Sequence, residues 1–190
     1  MISSELIAHA LLLRDIGEVT VYLSETHQGR AIAFVLGECA DNVLVRVQSR
    51  CVYGEVFGSV HCDCRDQLDA AWRLIGSEGR GIVIYLDQEG RGAGAVPKAK
   101  AYRSEQLTGL DTFETYRQLG IPEDPRSYDE AADLLKWMGL KAIRLLTNNP
   151  QKAGALLEQG IGMERVQLSV EGHFRAQDYL AAKRIRGHDL

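Results

Sequence analysis

Three of the four cysteines in this 190-residue chain lie within one short segment, and they constrain the fold more than any other feature. Cys51, Cys62 and Cys64 have the spacing C-x10-C-x-C. Three thiolates suit a zinc ion that keeps its fourth coordination position for water, as in a catalytic site. The fold would then bring a strand end carrying Cys51 next to a tight turn before a helix, with Gly54 and Gly58 letting the backbone fold back. The alternative is buried free thiols, since cysteine is often a small core residue.

The composition argues against two classes of partner. Hydrophobic residues make up 45% of the chain and charged residues 25%, as in ordinary globular proteins, and the formal net charge is −4. This acidic balance argues against a nucleic-acid-binding surface, although local arginines would still accept a small anionic substrate. No apolar run approaches the roughly 18 residues of a membrane span. We therefore expect neither nucleic acid nor a membrane as a partner.

The apolar N-terminal segment Met1–Leu13 contains Glu5 and lacks the basic region and small-residue cleavage site of a signal peptide. We interpret it as a packed helix. Without an export signal, metal ligation or reduced thiols are favoured over disulfides. The expected compartment is the cytoplasm, and Cys39, outside the cluster, is expected to be a buried thiol.

Hydrophobic patterns predict an α/β fold. In the first half, short β-branched runs predict strands at Val19–Ser24, Ala31–Leu36 and Val43–Val47. After the cysteines, the pattern predicts a helix that ends near Gly76 or Gly79 and has Leu68, Ala71, Trp72 and Ile75 on one face. The elements predicted after it are, in order, the strand Gly81–Leu86, the helix Tyr128–Met138, the strand Ala142–Leu146, the helix Pro150–Gln159 and a last strand Val166–Val170. Together these predict a layered α/β/α sandwich with a mixed sheet and a strand-rich N-terminal half, as a single domain over residues 1–190.

A glycine-rich turn, Asp87–Gly94, directly follows the predicted strand Gly81–Leu86. In α/β proteins, ligands bind at the carboxyl ends of central strands. The glycines let the backbone approach a phosphate, Arg91 can pair with phosphate oxygens, and Glu89 can accept hydrogen bonds from a guanine base. The spacing matches neither the dinucleotide nor the Walker motif, so a tight loop with solvated charges stays the alternative.

A second polar turn, Thr147–Lys152, follows the predicted strand Ala142–Leu146. Pro150 can begin the next helix at its first turn, and Lys152 near the positive end of that helix would strengthen an anion site. An Asx-type turn that caps the helix is the alternative, and it is compatible with binding. Taken alone, the segment 123–126 is interpreted as a surface turn.

A series of motifs follows in order from about residue 30 to the end of the chain. They are Arg46-Val47, Gly54, Phe57, Ser59, Cys62–Cys64, Gln67-Leu68, Gln88–Arg91, Lys98, Ala101-Tyr102, Asp111-Thr112, Gln118–Gly120, Asp124–Arg126, Leu145–Pro150, Lys152, Tyr179-Leu180, Lys183 and Gly187-His188. In this order the chain resembles GTP cyclohydrolase II, the enzyme that opens riboflavin biosynthesis. Because no second catalytic module is present, we expect the monofunctional form.

The resemblance implies a mechanism for the chain. The three clustered cysteines would hold Zn²⁺, which activates water for attack on C8 of the purine, so that the imidazole ring opens and formate leaves. Tyr102 matches the tyrosine that assists ring opening. Arg126 matches the residue proposed as nucleophile at the α-phosphorus, with Asp124 as its proton acceptor. Because guanidinium stays protonated at neutral pH, stabilisation of transition-state charge is an alternative role for Arg126.

The resemblance also implies the nucleotide site, with Mg²⁺ bridging the triphosphate oxygens, and a homodimer. The residues that would line the nucleotide site are Arg46, Val47, Gln48, Ser49, Arg50, Gln67, Glu89, Gly90, Arg91, Thr112, Thr147 and Lys152.

The chain departs from the family around its first cysteine. The family usually has R-x-H-S-E-C-L-T-G-D, whereas Gln48 here replaces the histidine, Arg50 the glutamate and Tyr53 the threonine. Three hypotheses follow: a GTP cyclohydrolase II; an offshoot that acts on another nucleotide, such as the pyrimidine nucleotides UTP or UMP, or stops at the formylated intermediate; and a non-enzymatic nucleotide-binding or zinc-structural protein. We expect His61 not to be a metal ligand. The basic tail Lys183–His188 is interpreted as a solvated helix end, with a cover over phosphates as the alternative.

Overall fold

A mixed seven-stranded sheet with the order β1-β2-β3-β5-β4-β6-β7 forms the centre of the computed structural model. The described residues are 6–24, 30–110, 112–122, 124–170, 177–185 and 187–189. The strands are β1 Leu6–Leu13, β2 Gly17–Ser24, β3 Ala31–Leu36, β4 Val43–Ser49, β5 Gly81–Leu86, β6 Ala142–Leu146 and β7 Gly162–Val166. The helices are α1 Val52–Glu55, α2 Cys64–Glu78, α3 Ala95–Thr108, α4 Thr112–Gln118, α5 Asp129–Trp137, α6 Pro150–Glu158 and α7 Gln177–Ile185.

Helices cover both faces of this sheet, which confirms the predicted α/β class and the mixed sheet. Along β4, Val43 and Val45 pack with α5 and α6, whereas Leu44 packs with α2 on the opposite face. Alternate residues of a strand point to opposite faces, and β4 is buried on both, as its continuous apolar run indicates. In the described part of the chain, no helix combines the length and the apolar character of a membrane span.

The parallel half of the sheet positions the polar loops. β4, β5 and β6 run parallel, with Ser49 opposite Leu86 at their carboxyl ends. The loops that leave these ends are the cysteine segment, the glycine-rich turn Asp87–Gly94 and the turn Thr147–Lys152. Because carboxyl ends of parallel strands share one edge, three segments far apart in sequence meet there.

The predicted N-terminal helix is wrong. The described residues 6–13 form β1, an edge strand paired antiparallel with β2 over its full length, from Leu6 opposite Ser24 to Leu13 opposite Gly17. An almost uniformly apolar run has no period that distinguishes helix from strand. The tight turn decides the outcome, because Asp15 and Gly17 adopt positive φ angles of 65° and 98° and let the chain reverse into a hairpin.

The last strand and Cys39 also differ from expectation. The final strand is Gly162–Val166 rather than Val166–Val170, and it pairs in parallel with β6. This strand was not predicted from the sequence because it contains the exposed charged residues Glu164 and Arg165, which an edge strand can carry on its solvent side. Cys39 is only partly buried, and its Sγ lies 3.8 Å from the carbonyl oxygen of Gly81.

Candidate metal centre and adjoining cavities

The three clustered cysteines converge as their spacing predicts. β4 ends at Ser49, Cys51 caps α1, Cys62 lies in the following turn, and Cys64 is the first residue of α2. Their sulfur atoms lie within 4.8 Å of one another, and the Sγ atoms of Cys51 and Cys62 are 3.6 Å apart. Within the described residues this is the single group of cysteine, histidine and acidic side chains arranged to hold a metal ion.

The donor set and the space around it fit zinc. A Cβ atom at Gly54 would lie 3.0 Å from the sulfur of Cys62 and 3.5 Å from that of Cys51, so glycine leaves room for the three sulfurs. Hydrogen bonds from Cys62 and Cys64 lower the pKa of Cys51 to about 2. The hydrogen bond with Cys51, together with burial, raises the pKa of Cys62 to about 11, although the hydrogen bond with Cys64 acts in the opposite direction. The site thus already favours one thiolate, and a bound cation would displace the remaining thiol protons.

A buried ion pair connects the glycine-rich turn to the first cysteine. Lys98, on α3, places its Nζ 2.5 Å from Glu89 Oε1 and 3.2 Å from Cys51 Sγ. Burial alone would lower the pKa of Lys98, but the hydrogen bond to Glu89 and the Cys51 charge raise it. The backbone N–H groups of Gly90 and Val52 donate to the two carboxylate oxygens of Glu89. This contact was not predicted, because Lys98 in the sequence is one helical residue among several.

Of the three residues that depart from the usual family pattern, Gln48 belongs to a hydrogen-bond network beside the cysteines. Gln48 Oε1 accepts from the Arg46 guanidinium at 2.7 Å, and Gln48 Nε2 donates to Glu55 at 2.7 Å. Glu55 also accepts from the hydroxyl of Tyr85 at 2.5 Å and from the backbone N–H of Cys51. Burial raises the pKa of Glu55 despite these donors. Gln48 therefore contacts both the wall of the neighbouring cavity and the metal loop, which is the segment Cys51–Cys64 that carries the three cysteines.

A strongly cationic cavity lies beside the cysteines. It is lined by Arg46, Gln48, Ser49, Cys64, Gln67, Arg91, Arg126, Thr147, Asn148, Asn149, Lys152, Lys183 and His188. Burial and the nearby charges of Arg46 and Arg126 lower the pKa of Lys152, whose Nζ donates to the carbonyl of Val47 at 2.6 Å. No acidic residue is among these lining residues, although Asp124 and Asp63 pair with two of the cations, Arg126 and Lys183. The remaining positive charge suits a polyanion.

A second cavity adjoins the first and contains the cysteine sulfurs. Its lining residues are Ser49, Arg50, Cys51, Cys62, Cys64, Gln88, Glu89, Gly90, Arg91, Lys98, Tyr102, Tyr116 and Arg126. Ser49, Cys64, Arg91 and Arg126 line both cavities. The two spaces therefore form one groove, with thiols at one end and cations at the other.

Asp124 and Arg126 form an ion pair where the two cavities meet. The Arg126 guanidinium donates from Nε to Asp124 Oδ1 at 2.6 Å and from Nη2 to Oδ2. Burial would raise the pKa of Asp124, but the hydrogen bond and charge of Arg126 outweigh it and lower that pKa. The carboxylate is therefore ionised, and the guanidinium is held in one orientation.

Tyr102 lines the same cavity as the cysteines and belongs to a group of aromatic side chains. Its ring centroid is 5.6 Å from that of Tyr53 and 6.0 Å from that of His61, both nearly edge-on. His61 packs against Tyr102, and the metal-binding group among the described residues consists of the three cysteines.

The groove collects the residues proposed for nucleotide binding except Val47 and Thr112, and Arg50 lines it only at the rim. Val47 is fully buried in the core and offers only its backbone carbonyl, to Lys152. Arg50 lies at the rim, paired with Asp87 at 2.7 Å, and both side chains are more than 40% exposed. The side chain of Thr112 lies outside the described part of the structure.

The interpretation of the tail as a solvated helix end is wrong for two residues. Lys183 is buried against Asp63, and His188 lines the cationic cavity. Burial, together with the charges of Lys183 and Arg126, lowers the pKa of His188 to about 4. Sequence reasoning also missed Tyr116, which lines the second cavity. For the tail, the motif Lys183…Gly187-His188 was the available signal.

Comparisons with known proteins agree with this geometry. Residues 8–167 match the family model described as GTP cyclohydrolase II. The chain is 42% identical to the riboflavin biosynthesis protein RibBA of Salinispora tropica, over 98% of this chain and 48% of that protein. It is 44% identical to RibBA of Mycobacterium marinum and 43% identical to RibBA of Mycobacteroides abscessus, in each case over 93% of this chain and 43% of the relative. The chain spans about half the length of these relatives or less. It belongs to the GTP cyclohydrolase II family.

Proposed function

We propose that this chain is a zinc-dependent hydrolase that opens the imidazole ring of GTP and releases formate and pyrophosphate, the first step of riboflavin biosynthesis. One observation carries the proposal: the three-cysteine cavity and the cationic cavity share Ser49, Cys64, Arg91 and Arg126. A nucleotide lying in this groove would place its base near the sulfurs and its triphosphate among the cations. Family membership supports the same assignment.

At the base end, Cys51, Cys62 and Cys64 would hold one zinc ion. When bound, zinc supplies the Lewis acidity that activates water for attack on the purine at neutral pH. Tyr102, which lines the same cavity, would assist proton transfer during ring opening. The Tyr102 ring packs against Tyr53 and His61.

Glu89 is proposed to recognise the guanine edge. Its Oε1 already accepts from Lys98 and from the Gly90 N–H, whereas Oε2 accepts only from the Val52 N–H among the bonds found. Since each carboxylate oxygen accepts about two hydrogen bonds, Oε2 has room for one donor from the base. Paired recognition of two guanine donors would require one existing bond to be replaced. Gly90, at a φ of 59°, brings the backbone close to the base.

At the phosphate end, Arg126 would stabilise charge on the α-phosphoryl group rather than attack it. The paired Asp124 carboxylate keeps the guanidinium protonated and oriented, and a protonated guanidinium is no nucleophile. Mg²⁺ bound with the nucleotide would neutralise part of the triphosphate charge. The other residues proposed to line the nucleotide site are Arg46, Val47, Gln48, Ser49, Arg50, Gln67, Arg91, Thr112, Thr147 and Lys152.

The experiment is direct. Zinc-loaded protein is incubated with GTP and magnesium, and formate and pyrophosphate are measured in the same reaction. The proposal expects both products. A formylated product without formate would select an enzyme that stops early, and zinc binding without turnover of any nucleotide would select a binding protein.

A second candidate is an offshoot that applies the same zinc chemistry to a pyrimidine nucleotide such as UTP or UMP. The observation that favours it is the altered rim, where Arg50 pairs with Asp87 and Tyr53 lies 4.5 Å from Lys98 Nζ. Consumption of UTP or UMP in place of GTP would decide for it. Glu89→Gln also distinguishes the two candidate functions. If Glu89 contacts the base, this substitution should weaken the binding of guanine nucleotides far more than the binding of pyrimidine nucleotides.

We further propose a homodimer working in the cytoplasm. The homodimer is carried over from the family. The compartment is supported by four free cysteines, three of them arranged as metal ligands, since cytosolic thiols are kept reduced.

A further inference from the structure

The C-terminal helix α7 reaches the metal loop although it lies beyond residues 8–167 of the family match. Lys183 Nζ lies 2.6 Å from Asp63 Oδ1. The Asp63 side chain is 0% exposed and that of Lys183 is 11% exposed. Asp63 is the residue between Cys62 and Cys64, so the partner of Lys183 stands in the turn that supplies two of the three sulfurs.

Asp63 continues the contact from α7 into the cationic cavity. Gln67 Nε2 donates to Asp63 Oδ2 at 2.6 Å, and Gln67 Oε1 accepts from Arg46 Nη2 at 2.6 Å. Arg46 in turn donates to the carbonyl of Leu146 at the end of β6. One carboxylate therefore connects α7, the cysteine turn and the wall of the groove.

A second contact holds the segment after α7 against the groove. The backbone N–H of Asp189 donates to the carbonyl of Asn148 at 3.0 Å, and the Asp189 carboxylate pairs with Arg165 at 2.5 Å. His188 lines the cationic cavity between these anchors. The tail is thus docked from two sides, which gives the buried ion pair a fixed geometry.

We propose that Lys183 is a positioning residue that acts through Asp63 to hold the Cys62–Cys64 turn in its metal-binding geometry. A fully buried carboxylate without its cation is strongly unfavourable, so loss of Lys183 would drive the turn to open towards water. Cys62 and Cys64 would move with it. The inference rests on the zinc site of the proposed function and is independent of the nucleotide.

The test measures zinc affinity of the full chain by competition with a chromophoric chelator, and the absorption spectrum of the cobalt-substituted protein. Lys183→Met is expected to weaken zinc binding about 10- to 100-fold, the usual effect of losing a partner of the ligand shell. Lys183→Arg, which keeps the charge, should restore most of the affinity. Arg184→Met, the exposed neighbour on α7, is the matched control and should leave affinity unchanged.

A double-mutant cycle with Asp63→Asn shows whether Lys183 acts through Asp63. In the Asp63→Asn background, Lys183→Met should change zinc affinity less than about 3-fold, because the carboxylate that Lys183 neutralises is then absent. The double variant also guards against misfolding, since removing both charges leaves no unpaired buried carboxylate.

The possible contrary results are distinct. Wild-type affinity in Lys183→Met, or an equal loss in both backgrounds, would overturn the inference while leaving the proposed function in place. A wild-type chain that binds no zinc would overturn the proposed function and this inference together.

Discussion

Lys98 Nζ lies 2.5 Å from Glu89 Oε1, and both side chains are less than 10% exposed. The pair joins α3 to the glycine-rich turn, and the same ammonium lies 3.2 Å from Cys51 Sγ. Glu89 therefore has a structural role beside any contact with a base. Its substitution should affect the metal loop even when no nucleotide is present.

Glu89→Gln is expected to lower the free energy of unfolding by about 3 kcal/mol, because it removes the carboxylate partner of the buried Lys98 ammonium. Urea unfolding of the nucleotide-free protein measures this loss. The control is Asp87→Asn, which removes the partner of Arg50 in an exposed pair and should cost no more than about 1 kcal/mol. Equal losses in the two variants would show that the Lys98–Glu89 pair is not a stabilising feature.

Cys64→Ser should remove most of the bound zinc and abolish formate release, since two thiolates and a hydroxyl hold zinc poorly. Elemental analysis and a formate assay measure the two effects. Cys39→Ser is the matched cysteine control, because Cys39 stands outside the cluster and its Sγ contacts only backbone carbonyls among the bonds found. It should retain zinc. Full turnover by Cys64→Ser would contradict a zinc mechanism.

Arg126→Lys is expected to slow pyrophosphate release about 100-fold while leaving the zinc content unchanged. Lysine keeps the positive charge, but it loses the fork that donates to both oxygens of Asp124. Single-turnover pyrophosphate release on the zinc-loaded protein measures the effect. Pyrophosphate release at the wild-type rate by this variant would show that Arg126 takes no part in the phosphate chemistry.

The docking of the C-terminal segment should weaken in acid. The fold lowers the pKa of His188 from 6.5 to about 4, mainly through burial and then through Lys183, Arg126 and Arg91, against the opposing effect of Asp124. A lowered histidine pKa means that the neutral form is favoured in the fold. Its contribution to stability is therefore fully present above about pH 6.5 and is lost as the pH falls through 4.

An NMR titration of His188 checks this sign, with exchange of the Asp189 amide as a measure of docking. Triphosphate bound in the cavity should raise the pKa of His188, because its negative charge offsets the neighbouring cations. His188→Gln should remove the acid-dependent part of the exchange. A titration near pH 6.5 in the nucleotide-free protein would contradict burial of this side chain.

Several parts of the fold could be predicted because local patterns determine them. Gly81–Leu86 and Ala142–Leu146 match the observed strands to the residue, since continuous apolar runs of this length suit buried strands. The turn chemistry placed Cys51 after a strand and Cys64 at a helix start. β1 was not predictable in this way, because its hairpin with β2 depends on pairing across a turn rather than on period.

The sequence by itself determined the donor set of the metal site, since three thiols with this spacing can converge through one local segment of strand, turn and helix. Only the tertiary structure decided which charges surround it. Lys98 meets Cys51 across 47 residues, and Lys183 meets Asp63 across 120. Such contacts leave no periodic trace in the sequence, because they depend on how separate elements pack around the carboxyl edge of the sheet.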